Sequence, residues 1–113
     1  MLKWSEEARD GAIIALPDGK IDADTADAFG ADLESAVGRA ADSSAKLVVD
    51  CSAITYMSSR GLRALTLAKR KADGAGVRIL LAGANEVVSE ILVISRYHKL
   101  FTVTDSVEAA LAA

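Results

Sequence analysis

Apolar and polar positions along this chain change their spacing several times, and each change marks a predicted element. Gly11-Ala-Ile-Ile-Ala-Leu16 is a short apolar run closed by the proline-led turn Pro17-Asp18-Gly19. The segment Leu2 to Ala8, ending before Asp10-Gly11, is predicted as its hairpin partner, so the sheet starts antiparallel. From Asp22-Ala-Asp24-Thr25 the spacing becomes helical. Ala26, Phe29, Leu33, Val37 and Ala40 recur at steps of three and four. Asp24 and Asp27 load the first turn, where unpaired backbone N–H groups favour negative charge.

Lys46 to Cys51 is continuously apolar after its lysine apart from Asp50, the pattern of a strand covered on both faces. A polar turn with Ser58 and Ser59 leads into a second helix, with Leu62, Leu65, Ala68 and Ala72 on one face and Gly74 and Gly76 as stops. Val77 to Ala82 reads as another buried strand. Asn85 is predicted to cap a third helix with Val88, Ile91 and either Ile94 or Ser95 inward. Phe101-Thr-Val103 is the last strand, and Asp105-Ser-Val-Glu108 reads as a capping box with Asp105 as the cap. Strands joined through helices run parallel with right-handed crossovers. The predicted fold is therefore α/β: a mixed sheet with an antiparallel start and about four to five strands, covered mainly on one side by about four helices. Residues 1–113 are expected to form a single domain.

Composition removes several function classes. The formal net charge is -3, with no basic footprint, so direct nucleic-acid binding is not expected. Lys69-Arg70-Lys71 is read as a cationic cluster near a helix end, complementing the dipole. Cys51 is the single cysteine, which leaves no internal disulfide and points to a reducing compartment. Charged residues interrupt the N-terminus, and no apolar run approaches the roughly 18 residues needed to span a bilayer. The chain is expected to be cytoplasmic, without membrane insertion.

Catalytic patterns are weak. Ser59 has Gly61 after it but Met57 before it, so the Gly-x-Ser-x-Gly nucleophile elbow is not written. His98, the only histidine, lies far along the chain in Arg96-Tyr-His-Lys99 and reads as a solvated loop residue. Asp73-Gly74-Ala-Gly76 precedes a strand, unlike a nucleotide-binding loop. Asp18, Asp22, Asp24 and Asp27 cluster at the first helix start; magnesium is one use for such a group, capping and dipole compensation the ordinary one. No enzyme activity, metal or cofactor is expected. Ser59, read without further context, simply caps the second helix.

Three segments change that picture. An apolar strand followed by Tyr56-Met57-Ser58-Ser59-Arg60-Gly61-Leu62 resembles the hallmark of the STAS domain family, whose single-domain bacterial members are anti-sigma factor antagonists. Pro17-Asp-Gly19-Lys-Ile-Asp22 resembles the family's early turn, and Arg96 through Leu111 its closing strand and helix. The resemblance implies a regulator in a partner-switching pathway. Its unphosphorylated form binds an anti-sigma factor that is also a serine kinase of the histidine-kinase-like ATPase type, and so releases a sigma factor. Phosphorylation blocks binding and a serine phosphatase restores it.

The family's acceptor is the serine two residues before the glycine, which is Ser59, with Ser58 the second choice. Asp22 matches the family's early aspartate near the acceptor. The implied partner-binding set is Asp22, Ser58, Ser59, Arg60, Gly61 and Arg63. The sequence departs from the family in two places: Ser58 stands where many relatives carry aspartate, and Arg60 where they often carry a small residue. A phosphate adds roughly -1.5 to -2 charges, and a helix N-terminus stabilises it by about 0.3–1 kcal/mol, so the fold is expected to survive modification. The alternative is a STAS subunit of a membrane transport complex that grips its ATPase through the same surface.

Overall fold

The computed structural model describes residues 2–113. Its first strands, β1 (Glu6–Arg9) and β2 (Ala12–Ala15), form the expected antiparallel hairpin, with Glu6 opposite Ala15 and Arg9 opposite Ala12. Asp10 and Gly11 connect them with φ of 52° and 75°, the left-handed pair that matches strand twist in a two-residue hairpin. The remaining elements are β3 (Gly19–Ile21), α1 (Ala26–Asp42), β4 (Lys46–Asp50), β5 (Ile54–Met57), α2 (Ser59–Ala75), β6 (Ile79–Ala82), α3 (Glu86–Ile94), a 3-10 turn (Tyr97–Lys99), β7 (Thr102–Thr104) and α4 (Val107–Ala112).

Five strands form one sheet in the order β1-β2-β4-β6-β7, parallel after the opening hairpin. β3 and β5 form a separate parallel pair. Sequence reading missed this pair, because each strand is very short and neither alternates cleanly. Gly19, read as a turn residue, begins β3, while Asp18 exchanges two 2.9 Å backbone hydrogen bonds with Lys3.

Alternate residues of β4 explain its unbroken apolar run. Leu47 and Val49 join the larger core with Phe29 and Leu33 of α1, Leu65 of α2, and Val88 and Leu92 of α3. Val48 faces the other way, onto Ile14, Leu80 and Ala110 of α4. Three helices thus cover one face and α4 the other. The Lys46 ammonium donates to the backbone oxygens of Ala110, Leu111 and Ala113 at 3.0, 2.8 and 2.8 Å, tying the C-terminal end of α4, where backbone acceptors gather, to the start of β4. A T-shaped contact between Trp4 and Phe29, centroids 6.2 Å apart, and an ion pair between Glu6 and Arg39 tie the N-terminal segment to α1. Burial raises the Glu6 carboxyl, but hydrogen bonds from Arg39 and Trp4 and the Arg39 charge outweigh it and hold the group below its ordinary value.

Several local expectations are corrected. Leu92 takes the inward place on α3, whereas Ile94 is 74% exposed. The stop of α2 is Gly76, at φ 72°, and Gly74 lies within the helix. Lys69 sits before the last turn of α2 and pairs with Asp73 one turn on, at 3.0 Å. The cap of α4 is Ser106, whose hydroxyl accepts from the Ala109 N–H at 3.0 Å, so Asp105 and Glu108 do not form a capping box. Among the described residues, no helix is long and apolar enough to cross a membrane.

Candidate functional site

The β3–β5 pair brings the early aspartate to the double serine. The ladder sets Ile21 opposite Met57, and the Ser58 N–H continues it by donating to the Ile21 carbonyl at 2.8 Å. Asp22 follows Ile21, so it stands at the start of α2 although dozens of residues separate the two in sequence. Its own loop is tightly bonded. The Asp24 N–H donates to the Asp22 carboxylate at 3.0 Å, and the Thr25 hydroxyl accepts from the Asp22 N–H at 2.9 Å while donating to the Lys20 carbonyl at 2.8 Å. The Asp24 N–H is the main reason that the Asp22 carboxyl lies below its ordinary value; partial desolvation opposes it, and Thr25 and Lys20 add to it. Lys20 Nζ lies 4.0 Å from the same carboxylate and 6.0 Å from the centre of the half-exposed Tyr56 ring.

The two serines have different tasks. Ser58, in extended conformation at ψ 172°, is the N-cap of α2, and its hydroxyl accepts from the Gly61 N–H at 3.3 Å. Ser59 is the first helical residue and exposed. Among the described residues, its hydroxyl has no hydrogen-bond partner within the protein. The capping role read for Ser59 therefore belongs to Ser58, because the residue in extended conformation just before the helix is the one whose oxygen reaches the free N–H groups.

Gly61 is required by packing. A methyl group on its Cα would come within 2.7 Å of Ile21 Cγ2 and 2.7 Å of Met57 Cγ, both on buried side chains. The first turn of α2 thus rests directly on the β3–β5 pair, and the glycine of the motif is what lets it. That contact fixes where the first turn of α2 sits, and Ser59 lies exposed on it.

The electrostatics of this helix end are unusual. A helix N-terminus carries partial positive charge and favours acidic residues, yet the first turn of α2 contains none. It contains Arg60 instead, with Arg63 one turn later, both exposed. Both arginines line a groove of about 460 Å³ between α1 and α2, whose opposite wall carries Asp27 and Glu34. Gly30 and Ala64 allow the close approach of the two helices: a Cβ on Gly30 would lie 3.4 Å from the Ala64 methyl. Among the described residues, neither arginine forms an ion pair across this groove or elsewhere.

Other sequence candidates stand apart from the serines. His98 belongs to the 3-10 turn, with Nδ1 3.2 Å from the Leu92 carbonyl. Cys51 is 1% exposed, and burial pushes its thiol up to about 12, far from a reactive thiolate. Among the described residues, no group of three or more His, Cys, Asp or Glu side chains is arranged to hold a metal ion. Lys20 and Thr25 were missed as parts of the site. The sequence signal for them, an isoleucine between short polar stretches, is too brief to reveal a paired strand.

Comparison with known proteins gives a consistent set. The STAS domain description matches residues 3–110. BtrV of Bordetella bronchiseptica, which bears the name anti-sigma factor antagonist, is 29% identical over 112 residues, covering 99% of this chain and 94% of that protein. The crystal structure of an anti-sigma factor antagonist from Mycobacterium paratuberculosis superposes with a TM-score of 0.81 at 25% identity, covering 99% of this chain and 92% of the other. SpoIIAA of Bacillus shares the fold in its unphosphorylated and phosphorylated forms. The TM-scores are 0.69 and 0.68, at 11% and 13% identity; each covers 97% of this chain, with 93% and 97% of the SpoIIAA chains matched.

Proposed function

Because the chain belongs to the STAS domain family, we propose that it acts as a cytoplasmic anti-sigma factor antagonist whose binding is switched by phosphorylation of Ser59. The unphosphorylated form engages an anti-sigma factor that is a serine kinase of the histidine-kinase-like ATPase type, and a sigma factor is released. A serine phosphatase reverses the modification. The chain itself performs no reaction; it is the kinase's substrate and binding partner. Asp22, Ser58, Arg60 and Arg63 surround the acceptor as the contact surface, and Gly61, expected from the sequence in the same set, is buried against Ile21 and Met57 and supports that surface from beneath.

One observation carries this reading: Ser59 presents an exposed hydroxyl, free of hydrogen bonds among the described residues, at a helix N-terminus with no acidic residue in its first turn. Such an end receives a phosphate without loss of fold, because the dipole and backbone N–H groups favour the added charge. The same charge is expensive inside an interface. Burying it without a partner costs several kcal/mol, enough to abolish a regulatory complex. The naming of BtrV and the Mycobacterium protein as anti-sigma factor antagonists supports the partner class.

Incubation with the cognate anti-sigma kinase and ATP is expected to add one phosphate, lost in Ser59→Ala and retained in Ser58→Ala. A Ser59→Ala protein that is still fully labelled overturns the assignment. Ser59→Asp is expected to weaken kinase binding in calorimetry while its melting curve stays within a few degrees of wild type.

A further inference from the structure

The two arginines beside the acceptor are not equivalent, and helix geometry separates them. Residues four apart on a helix face one another, whereas adjacent residues do not. Arg63 is four residues after Ser59; Arg60 is its neighbour. Helical side chains also lean toward the N-terminus, which puts the turn that holds Ser59 within reach of the Arg63 side chain. An anionic residue N-terminal to a cationic one at this spacing is the favoured order. The same test applied to Ser58 finds no cation: four residues on lies buried Leu62, and the Ser58 hydroxyl is already engaged with the Gly61 N–H.

Resting on Ser59 as the acceptor, we propose that Arg63 is the internal counter-ion of the Ser59 phosphate, and that phosphorylation draws its guanidinium out of the α1–α2 groove. The structure supplies the conditions. Arg63 is exposed, lines the groove, and has no ion pair among the described residues, although Asp27 and Glu34 lie on the opposite wall. The first turn of α2 has no carboxylate to compete for it, and the Asp22 carboxylate beside the serines takes the Asp24 N–H and faces Lys20. A phosphate offers three acceptor oxygens, which suit the planar guanidinium fork. Phosphorylation then acts on a partner twice. It adds negative charge at Ser59, and it removes from the groove a cation that a partner's carboxylate would use. Arg63 is a positioning residue in this scheme, without a chemical step of its own.

The test places phosphoserine at position 59 during translation, so it does not depend on whether any kinase selects Ser59; failure of the labelling experiment and failure of this proposal are thus separate results. Phosphorus NMR titration reads the second ionisation of the phosphoserine, ordinarily near pH ~6. Arg63→Gln is expected to raise that value by about 0.3 unit or more, since it removes a charge pair at favoured spacing. Arg63→Lys is expected to restore most of the difference, and Arg60→Gln to move the value by less than half as much. An unchanged value in Arg63→Gln, or an equal shift in Arg60→Gln, overturns the proposal.

Discussion

β4 and β5 are consecutive strands separated by three residues, yet they are built on opposite principles. β4 lies between β2 and β6 with helices on both faces, and Leu47, Val48 and Val49 are all 0% exposed. β5 pairs with β3, buries Ile54 and Met57, and leaves Thr55 and Tyr56 exposed. The first is a platform, fixed by packing on two sides. The second is a rim, where side chains stay in solvent while backbone bonds, such as Gly19 N–H to the Ala53 carbonyl at 3.0 Å, hold the chain. A site that must expose a hydroxyl and charged groups sits on the rim, one element removed from the continuous sheet. Its precision comes from hydrogen bonding, from Ile21, Ile54 and Met57 buried beneath it, and from one close contact at Gly61.

The contrast can be broken most forcefully at its buried end. Leu47→Ala is expected to cost about 2–5 kcal/mol in chemical denaturation, whereas Thr55→Ala on the rim stays within about 0.5 kcal/mol. Equal losses would end the distinction between platform and rim. Next in size is Gly61→Ala, which forces Ile21 or Met57 to move and is expected to cost about 1–3 kcal/mol by the same measurement. A stabilised protein would show that the approach of α2 to β3 and β5 is loose. The serines give a smaller and sharper comparison. Ser58→Ala is expected to lose about 1 kcal/mol with the cap, and Ser59→Ala to stay within about 0.5 kcal/mol. The reverse order would assign the cap to Ser59.

The smallest effect is a pH dependence. Asp22 is held below its ordinary value of 3.8 by the Asp24 N–H above all, so its contribution to stability is present above that value and fades as pH falls through the lower folded value. The stability difference between wild type and Asp22→Asn is therefore expected to close on acidification below about pH 3.8, read by denaturant midpoints. A difference that persists unchanged into strong acid removes the carboxylate from the argument.

Legibility followed the same division. α1 was readable because Phe29, Leu33, Val37 and Ala40 repeat at helical spacing and are all buried. The unbroken run of β4 announced two covered faces. The β3–β5 pair was not readable, since β5 buries only its two ends and β3 is three residues long. The cap at α4 was misread because Asp105 and Ser106 are both good caps; the choice depends on which backbone turns first, and Ser106 does. Ile94 and Leu92 were confused on α3 because apolar residues surround that short helix, and period alone does not choose its inner face.

By itself the sequence determined the class of fold, the hairpin start, the principal helices and the motif around Ser59, because each is written in local periodicity or in a short run of residue types. Tertiary structure alone decided three matters. It set Asp22 beside the serines through the Ser58–Ile21 bond, gave the cap to Ser58 and left Ser59 exposed in the first turn, and made Gly61 a packing necessity against Ile21 and Met57. Each depends on a contact between segments far apart in the chain, and no local pattern encodes the partner of such a contact.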